Sequence, residues 1–340
     1  MGDKAHVLTL NDKSVEFIDG ETVLQVAQRH GYFIPTMCYD PRLSVTGHCK
    51  VCMVSIDGKI KSSCDTKAAD GMTVVTQSEA LTNARKRRVN GILKQHKGNC
   101  ATCRQHEFCG LIKLAEDVGL PSPVFTSQDE IKEEIIENKL RINFEKCVKC
   151  GKCVRVCSEI RGVGALLHPS FGPDVQTITF SRECEKCGQC SVICPTGAIT
   201  EIHKEKPHHR IQSTCPYCAT GCGIYLDVLD DKIIGVTSDE LDPVGRGNLC
   251  VKGRFGFTFI NDADRLTKPL IRHNGQFREA TLAEALDVVA EKLIGIRDKY
   301  GPHAIGGIGS ARGTNEDNYM FQRMMRGGLG TNNLDNCARL

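Results

Sequence analysis

The sequence has few aromatic residues and little net charge. It contains no Trp, aromatic residues make up 5% of it, and its formal net charge is only +3. A nucleic-acid-binding domain usually presents a strongly basic surface, so this composition argues against a nucleic-acid partner. The basic run at residues 85–88 is predicted to be the solvated face of a helix.

Long apolar segments are also missing. No stretch approaches the roughly 20 apolar residues that a membrane-spanning helix needs. The N-terminal sequence MGDKAHVLTL lacks the charged-then-apolar order of a secretory signal peptide. We therefore expect no membrane span and a cytoplasmic location.

Cysteine is the residue that the chain has in excess, with 20 among 340 residues. All except Cys337 fall into closely spaced groups, and one of these groups also includes a histidine. Runs of three close cysteines are typical of iron-sulfur ligation, and thiolates bind iron only when they are reduced. The sequence therefore predicts five cluster sites, a reducing compartment, no disulfide bonds and a role in single-electron transfer.

The first group has the spacing Cys38-x10-Cys49-x2-Cys52-x11-Cys64. Four thiolates in a loop region between predicted strands suit a 2Fe-2S cluster, although the plant-type pattern has four residues in its first gap. A zinc site with four cysteine ligands usually has two C-x2-C knuckles, and this group has one. We predict a 2Fe-2S site.

The second group, His96-x3-Cys100-x2-Cys103-x5-Cys109, offers one imidazole and three thiolates. This set suits a 4Fe-4S cluster in which a neutral ligand replaces one thiolate. The exchange makes the cluster less negative and tends to raise its reduction potential.

Residues 141–202 contain an internal repeat of the spacing C-x2-C-x2-C-x3-C. The second run ends with Pro195, as in bacterial ferredoxins, in which the fourth cysteine of a run ligates the other cluster. Ser158 follows the first run instead of proline, which alters the turn and not the ligands. The repeat predicts two 4Fe-4S clusters, one held by Cys147, Cys150, Cys153 and Cys194, the other by Cys184, Cys187, Cys190 and Cys157.

The last group, Cys215-x2-Cys218-x3-Cys222-x27-Cys250, suits a further 4Fe-4S cluster. Spacing alone leaves a zinc site open at this position.

Hydrophobic periodicity predicts two hairpins, at residues 4–19 and 51–61, with a helix at 21–30 between them and a strand at 74–75 after them. We expect a long helix at 78–96, an acidic helix at 129–138 in a spacer and a polar linker at 201–210. From about residue 264 the pattern becomes α/β, with a helix at 282–299, a strand at 304–308 and a helix at 317–326.

Sequence around the last group adds a family resemblance. CPYCATGCG from Cys215 and CVKGRFGF from Cys250 resemble the N-terminal cluster domain of molybdopterin oxidoreductases, above all formate dehydrogenases. Residues 310–340 resemble the stretch that leads to the metal ligand of their bis-pterin cofactor. The whole chain resembles the N-terminal part of the catalytic alpha subunit of cytoplasmic NAD(P)-linked formate dehydrogenases that use molybdenum or tungsten.

This resemblance implies an α+β multidomain chain with five parts. We expect a β-grasp 2Fe-2S ferredoxin domain at 1–78, and a helical 4Fe-4S module with one His and three Cys ligands at 79–140. A bacterial-type 2x(4Fe-4S) ferredoxin domain follows at 141–205, and a molybdopterin oxidoreductase 4Fe-4S domain at 211–265. Residues 266–340 are expected to be the incomplete α/β start of the metal-pterin domain.

The resemblance also implies roles for residues outside the cluster groups. Lys252 matches a lysine that lies between the cluster and the pterin, and Arg312 matches an arginine that contacts the pterin. Glycines 306, 307 and 309 would let the backbone approach the dinucleotide phosphates. Cys337 is expected to be a packed thiol. The metal ligand, cysteine or selenocysteine, is expected just after Leu340, so no catalytic residue is predicted within this chain.

The implied cofactors are one 2Fe-2S cluster, four 4Fe-4S clusters and a molybdenum or tungsten bis-pterin guanine dinucleotide in the full-length enzyme. The implied partner is a flavin-containing NAD(P)H-oxidising iron-sulfur subunit, with ferredoxin or a hydrogenase subunit as a further partner. Iron-only hydrogenases and complex I-like assemblies also have the first four clusters, in whole or in part. The alternative function is therefore a non-catalytic electron-relay subunit of a hydrogenase or a complex I-like assembly.

One hypothesis concerns the C-terminus: a selenocysteine UGA codon was read as a stop. The competing hypothesis is a short subunit that has the clusters and lacks catalysis. The DNA sequence after codon 340 distinguishes the two hypotheses.

Overall fold

The computed structural model describes residues 6–103, 106–126, 134–136, 139–167, 179–202 and 207–337. Contacts divide the chain into two compact units, residues 1–204 and 205–340. Among the described residues, no helix is both long and apolar enough to cross a bilayer. The five-domain division stays a prediction.

The first unit begins with a five-stranded mixed sheet in the order β2-β1-β5-β3-β4. β1 and β5 are parallel and the other neighbours are antiparallel. Asn11 and Asp12 turn the first hairpin with φ angles of 47° and 65°, the conformation that suits the twist of a two-residue hairpin. Both predicted hairpins, the helix between them and the later strand are confirmed. The elements are β1 (His6–Leu10), β2 (Lys13–Phe17), α1 (Val23–Arg29), β3 (Met53–Ile56), β4 (Lys59–Ser62) and β5 (Thr73–Val75).

One face of α1 packs on this sheet. Thr22 accepts a hydrogen bond from the Gln25 backbone N–H, and the Gln25 side chain accepts from the Thr22 N–H, so a capping box fixes where the helix begins. The core between helix and sheet includes Leu24, Leu10 and Val54, each fully buried. This helix over a mixed sheet is the arrangement that the β-grasp prediction requires.

The predicted long helix is α2 (Glu79–Gln95), capped by Ser78 and ending at His96. The expectation that residues 85–88 form a solvated face is wrong for Arg85. Arg85 is buried and donates to the carbonyls of Met53 and Thr76. Arg88 donates to the Cys49 carbonyl at 2.6 Å. These long side chains dock the helix on the first domain because their charged ends satisfy carbonyl oxygens there.

A second core lies between α2 and α3 (Gly110–Asp117). Val89 and Ile92 of α2 pack with Leu111 and Leu114 of α3. Cys38, Cys49 and Cys150 belong to the same buried cluster. The first cysteine group, helices α2 and α3, and one run of the repeat therefore share a single apolar core.

The spacer differs from its prediction. Within the predicted acidic helix 129–138, residues 134–136 form a strand, and the rest lies outside the described residues. The β-branched pair Ile135 and Ile136 favours an extended backbone, and the strand joins a three-stranded antiparallel sheet in the order β10-β7-β6. The strands are β6 (Glu134–Ile136), β7 (Leu140–Ile142) and, after the repeat, β10 (Ile199–Glu201).

The internal repeat is visible in the backbone. Gly151 and Gly188 have φ angles of 70° and 76°, and each directly precedes a short helix. The first helix continues as a wider turn over Val156–Ile160. The elements are α4 (Lys152–Arg155), the two-stranded pair β8 (Leu166–Leu167) and β9 (Thr179–Phe180), and α5 (Gln189–Val192).

The second unit begins with an antiparallel sheet in the order β11-β12-β13. The expected linker 201–210 therefore ends within a strand, and its residues 203–206 lie outside the described residues. A short helix follows the sheet, and its N-cap residue is Cys250, the last cysteine of the fifth group. The elements are β11 (His209–Thr214), β12 (Gly223–Leu229), β13 (Lys232–Ser238) and α6 (Val251–Phe255).

The final segment has the α/β character that the sequence predicts, with shifted boundaries. The strand expected at 304–308 lies at 307–309, because Pro302 begins a helical turn over Pro302–Ala304. The helix expected at 317–326 begins at Asn315, where Thr314 forms a capping box with Asp317. The elements are β14 (Leu270–His273), β15 (Gln276–Glu279), α7 (Leu282–Tyr300), β16 (Gly307–Gly309), α8 (Asn315–Arg323) and β17 (Leu334–Asn336).

β16 and β17 are parallel and α8 connects them. Ile305, Met325 and Leu329 form the small core of this segment. By contrast α7 has no buried residue, and Leu282, Leu286 and Val289 are more than half exposed.

Candidate iron-sulfur sites

The four cysteines of the first group are all buried, between 1% and 7% exposed. Cys49 donates a hydrogen bond to Cys38 and lowers the pKa of that thiol to about 5. Cys64 does the same for Cys52, whose pKa falls to about 6, while the pKa values of the two donors rise. The four sulfur groups of this site thus lie within hydrogen-bonding and electrostatic range of one another.

Backbone contacts hold these loops in place. Ser63 and Arg88 donate to the carbonyls of Cys52 and Cys49. Lys50, between the two cysteines of the C-x2-C pair, has a φ of 50°, which the loop imposes on a residue that normally avoids it. The geometry brings the predicted ligands Cys38, Cys49, Cys52 and Cys64 together.

In the second group, His96 ends α2 and is nearly buried, with its ring edge-on to Phe125 at 4.6 Å between centroids. Its Nδ1 lies 3.0 Å from the Lys146 carbonyl, so Nδ1 donates and Nε2 keeps its lone pair. Burial lowers the pKa of His96 and favours the neutral ring that a ligand requires.

The three thiols of this group lie within electrostatic range of one another. The pKa of Cys109 is raised, first by burial and also by the charges of Cys103 and Cys100. The backbone N–H of Phe125 donates to the Cys100 sulfur at 3.3 Å. Ligation by His96, Cys100, Cys103 and Cys109 stays a prediction.

The repeat forms two small cavities. One is lined by Cys147, Cys150, Cys153 and Cys194. The other is lined by Cys157, Cys184, Cys187 and Cys190. Each cavity therefore meets three cysteines of one run and the fourth cysteine of the other run, which is the crossed arrangement expected from the sequence.

The chemistry of these cavities fits an iron-sulfur cluster. Burial raises the pKa of Cys150 to about 12 and raises those of Cys147, Cys153 and Cys190 as well. A buried thiolate is stable only next to a cation, and iron provides that charge. The Lys149 N–H approaches the Cys147 sulfur at 3.4 Å, as a donor to a cluster thiolate does.

Within the described residues, no three His, Cys, Asp or Glu side chains are placed to hold a single metal ion. In a 4Fe-4S cluster each ligand binds its own iron atom, and in a 2Fe-2S cluster each iron atom takes two ligands, so the ligands surround a volume and do not all converge on one point. All twenty cysteines lie in the described ranges, and none forms a disulfide bond.

Direct contacts connect the first unit's sites. Gly110, next to Cys109, donates its N–H to the carbonyl of Pro195, next to Cys194, at 2.7 Å. Arg155 donates to the carbonyls of Cys38 and Cys150. The site of Cys147, Cys150, Cys153 and Cys194 thus adjoins both the first and the second cysteine groups.

Arg155 is a residue that sequence reasoning missed. It lies between two predicted ligands of the repeat, yet its partner Cys38 is 117 positions away. No periodicity or spacing indicates a contact over that distance. Burial of a lone arginine is visible only in the folded structure.

In the second unit, Cys215, Cys218, Cys222 and Cys250 lie within electrostatic range of one another. Cys215 follows β11 and its N–H donates to the Cys222 carbonyl at 2.9 Å. Asp242 accepts from the N–H of Gly223 at 2.9 Å and from the N–H of Gly245, which fixes the loops that flank the group.

Lys252 and Arg312 both approach this site. The pKa of the Cys218 thiol is lowered, first by its hydrogen bonds with Thr220 and then by the charges of Arg312 and Lys252. Both cationic side chains are exposed. Their roles toward a pterin remain predictions.

One expectation for the C-terminal segment needs correction, because Cys337 is exposed and is not a packed thiol. Gly307 also has a packing role, since a Cβ there would lie 2.7 Å from Phe321 and 2.9 Å from Met325. The expected approach of dinucleotide phosphates to glycines 306, 307 and 309 stays a prediction.

Comparison with family models matches most of the chain in separate segments. Residues 4–79 match a 2Fe-2S iron-sulfur cluster binding domain, and residues 140–158 and 180–200 match a 4Fe-4S binding domain. Residues 208–262 match the molybdopterin oxidoreductase Fe4S4 domain, and residues 265–340 match the molybdopterin oxidoreductase model. Residues 208–340 are thus similar to molybdopterin oxidoreductases, up to the start of the molybdopterin domain, and the segments before them are similar to iron-sulfur cluster binding domains.

Proteins similar to this chain have different names. A protein named "Putative formate dehydrogenase" in Staphylococcus aureus (strain N315) is 30% identical over 98% of this chain and 39% of its own length. "NADPH-Fe(3+) oxidoreductase subunit alpha" of Geobacter sulfurreducens (strain DL-1 / KN400) is 34% identical over 98% of this chain and 40% of its own. A subunit of an NADH-quinone oxidoreductase from Rhizobium meliloti (strain 1021) has the same identity and coverage. The chain spans about two fifths of the length of these relatives.

Among solved structures, a chain of an NAD+-reducing [NiFe]-hydrogenase in the H2-reduced state matches with a TM-score of 0.48. It is 27% identical, and the match covers 58% of this chain and 88% of that chain.

Proposed function

We propose that the chain holds one 2Fe-2S and four 4Fe-4S clusters and transfers single electrons between them. The observation that supports this most directly is the pair of cavities in the repeat, each lined by four cysteines in the crossed order. The proposed ligands are Cys38, Cys49, Cys52 and Cys64; His96, Cys100, Cys103 and Cys109; Cys147, Cys150, Cys153 and Cys194; Cys157, Cys184, Cys187 and Cys190; and Cys215, Cys218, Cys222 and Cys250.

Cysteine-to-serine variants test the ligand assignment. Cys194→Ser is expected to remove the same electron paramagnetic resonance (EPR) signal as Cys150→Ser, and Cys157→Ser the same signal as Cys187→Ser. Each variant is expected to lose about four iron atoms. Cys337→Ser is the matched control, since it removes the one cysteine outside the groups and is expected to keep all the iron. Uncrossed loss of signals would contradict the assignment.

We further propose that the chain is the iron-sulfur portion of a formate dehydrogenase, which interconverts formate and carbon dioxide. The start of a molybdopterin domain at residues 265–340 and the relatives named as formate dehydrogenases support this proposal. When bound, a molybdenum or tungsten bis-pterin guanine dinucleotide takes up two electrons from formate, and the clusters accept and release them singly.

The chain's own residues contribute position and charge. The exposed cations Lys252 and Arg312, both near the Cys218 thiol, are the side chains proposed to face the pterin. Anionic pterin phosphates are stabilised by such charges. No residue of this chain is proposed to touch the substrate.

The test is anaerobic purification of the full-length enzyme with its partner subunits. The proposal predicts molybdenum or tungsten, pterin, and formate-dependent reduction of a redox dye. Absence of pterin from a preparation that contains its full iron and sulfide would contradict the formate assignment and leave the cluster assignment intact.

A second candidate is a non-catalytic electron-relay subunit of a hydrogenase or complex I-like assembly. Its supporting observation is the 34% identity to relatives named as subunits of an NADH-quinone oxidoreductase and of an NADPH-Fe(3+) oxidoreductase. This function predicts iron and sulfide without pterin, and electron transfer from a nicotinamide with no response to formate.

The names of these relatives describe subunits, so we propose that this chain also works in a complex. The proposed partner is a flavin-containing NAD(P)H-oxidising iron-sulfur subunit, with ferredoxin or a hydrogenase subunit as a second partner. Because twenty free cysteines require a reducing environment, the proposed location is the cytoplasm. Co-purification from cell extract identifies the partner.

A further inference from the structure

Arg155 lies buried between two cysteine groups. The residue is only 6% exposed. Its Nη2 donates to the Cys38 carbonyl at 2.6 Å and to the Cys150 carbonyl at 3.3 Å. Its Nη1 donates to the carbonyl of Ser44, in the loop between Cys38 and Cys49. One guanidinium thus joins the loop of the first group to the first run of the repeat.

Glu159, four residues later on the same helical segment, contacts the same loop. Its carboxylate accepts from the Ser44 N–H at 2.6 Å and from the Ser44 hydroxyl at 2.5 Å. Arg155 and Glu159 therefore hold Ser44 through its carbonyl, its N–H and its hydroxyl. The predicted ligands Cys153 and Cys157 lie on the same segment, so the separation between this segment and the Cys38 loop is fixed.

The charge of Arg155 is the second observation. An arginine keeps its charge in proteins, and a buried charge is costly unless an opposite charge compensates it. In the described part of the chain, every acceptor that the Arg155 guanidinium contacts is a backbone carbonyl oxygen. One of these carbonyls belongs to Cys38, so the positive charge lies next to a proposed ligand of the Cys38–Cys64 site.

We propose that Arg155 is a positioning residue for electron transfer between the Cys38–Cys64 site and the site of Cys147, Cys150, Cys153 and Cys194. Its contacts hold the two sites at a fixed separation, and its charge stabilises the reduced, more negative state of the Cys38–Cys64 site. This inference rests on the cluster ligation proposed above. The exchange moves one electron, so one site is oxidised as the other is reduced, and no proton or leaving group is involved.

The test compares three variants of the complete chain by EPR-monitored redox titration. Arg155→Gln removes the charge. We expect the equilibrium constant for reduction of the 2Fe-2S cluster to fall about tenfold, so that its reduction potential becomes about 59 mV more negative for a one-electron couple. Arg155→Lys keeps the charge, but its donors all lie on one nitrogen and cannot span the carbonyls that the guanidinium reaches from Nη1 and Nη2. The matched control is Arg29→Gln, which removes the same charge from an exposed ion pair with Glu21 in the same domain.

A second readout follows the separation of the sites. Reduction of the neighbouring cluster speeds spin relaxation of the 2Fe-2S signal when the two lie at a short fixed distance. Arg155→Gln and Arg155→Lys are expected to weaken this effect, and Arg29→Gln is expected to leave both the potential and the relaxation unchanged.

Two outcomes overturn the inference while leaving the ligand assignment intact. One is an Arg155→Gln chain with full iron, unchanged potential and unchanged relaxation. The other outcome applies if Arg155→Gln does not retain iron, and it is measured on Arg155→Lys. The inference requires that Arg155→Lys has a near-native reduction potential and a weakened relaxation effect on the 2Fe-2S signal. Any other pair of results contradicts the inference. A native chain without a 2Fe-2S signal would instead contradict the proposed ligation.

Discussion

Arg85 and Arg87 show how differently two neighbouring residues of one basic run behave. Arg85 is buried against two carbonyl oxygens of the first domain, whereas Arg87 is exposed. Composition and periodicity assign both to a helix, and the assignment is confirmed. Which arginine becomes buried depends on the surface that α2 meets, and the linear pattern does not contain that surface.

Substitution of the two arginines by methionine separates these environments. Arg85→Met leaves two buried carbonyls without a donor and is expected to destabilise the protein by about 2–4 kcal/mol. Arg87→Met removes the same charge from solvent and is expected to change stability by less than about 0.5 kcal/mol. Thermal unfolding of the iron-loaded chain measures both. Equal effects would show that Arg85 has no structural role.

Three lysines adopt a left-handed backbone inside the cysteine loops. Lys50, Lys149 and Lys186 have φ angles of 50°, 54° and 55°, and each lies between the two cysteines of a C-x2-C pair. This conformation costs a non-glycine residue roughly 1–2 kcal/mol. The common geometry indicates that the turn between neighbouring thiols, and not the lysine side chain, determines the backbone.

Lys149 offers a matched pair of substitutions. Lys149→Gly is expected to leave stability unchanged or to raise it by up to about 1 kcal/mol, because glycine adopts positive φ freely. Lys149→Val is expected to lower stability by about 1–2 kcal/mol, because a β-branched residue tolerates this region worst. Both remove the same charge, so the difference in melting temperature reports the backbone alone. A valine variant as stable as the glycine variant would contradict this account.

At the scale of elements, the sequence predicted the first domain well. Alternating strands, an Asn-Asp turn and a capping box act over a few residues, so local patterns specify β1 to β5 and α1. The prediction of an acidic helix at 129–138 is wrong for the described residues 134–136, because these residues form a strand that pairs with β7. Pairing of a strand with a distant strand overrides local helix preference.

The start of α3 depends on a close approach between modules. A Cβ on Gly110 would lie 3.0 Å from the Pro195 Cβ and 3.2 Å from its carbonyl oxygen. In the middle of α2, by contrast, a Cβ on Gly91 meets nothing within 4 Å. A side chain is therefore excluded by close packing at Gly110 and has free space at Gly91, although both positions are glycines in helices.

Alanine substitution tests this contrast. Gly110→Ala is expected to push the Cys194 loop away and to cost about 1–3 kcal/mol, with a change in the EPR signals of both adjoining sites. Gly91→Ala is expected to stabilise the protein by about 0.5–1 kcal/mol, since alanine favours the helix. Melting temperatures that move in the same direction for both variants would refute the close approach.

At the scale of the whole molecule, the proximity of the cysteines within each group was predictable, because cluster ligation favours short spacings within one stretch of chain. The crossed order in the repeat is such a case, and the two cavities have that order. The contacts that join one site to the next were not predictable. Gly110 with Pro195 and Arg155 with Cys38 link residues far apart in sequence, and only the folded core brings them together.

The second unit exposes an apolar helix. On α7, Leu286 is 58% exposed and has apolar neighbours at Leu282 and Val289. An apolar patch of this kind promotes self-association. Leu286→Lys is expected to reduce self-association of this 340-residue chain, with a change in stability below about 0.5 kcal/mol and unchanged iron content. Sedimentation velocity measures the effect, and an unchanged distribution would show that this face does not associate.

The segment from Cys153 to Glu159 limits how this protein can change during evolution. Thiols for two cavities alternate there with the side chains that hold the Ser44 loop. Inserting or deleting one residue would rotate everything downstream by more than a quarter of a turn. The three proposed cluster sites that this segment adjoins would then be misaligned by the gain or loss of a single codon. Substitutions can accumulate in this heptapeptide, but its length is not free to vary.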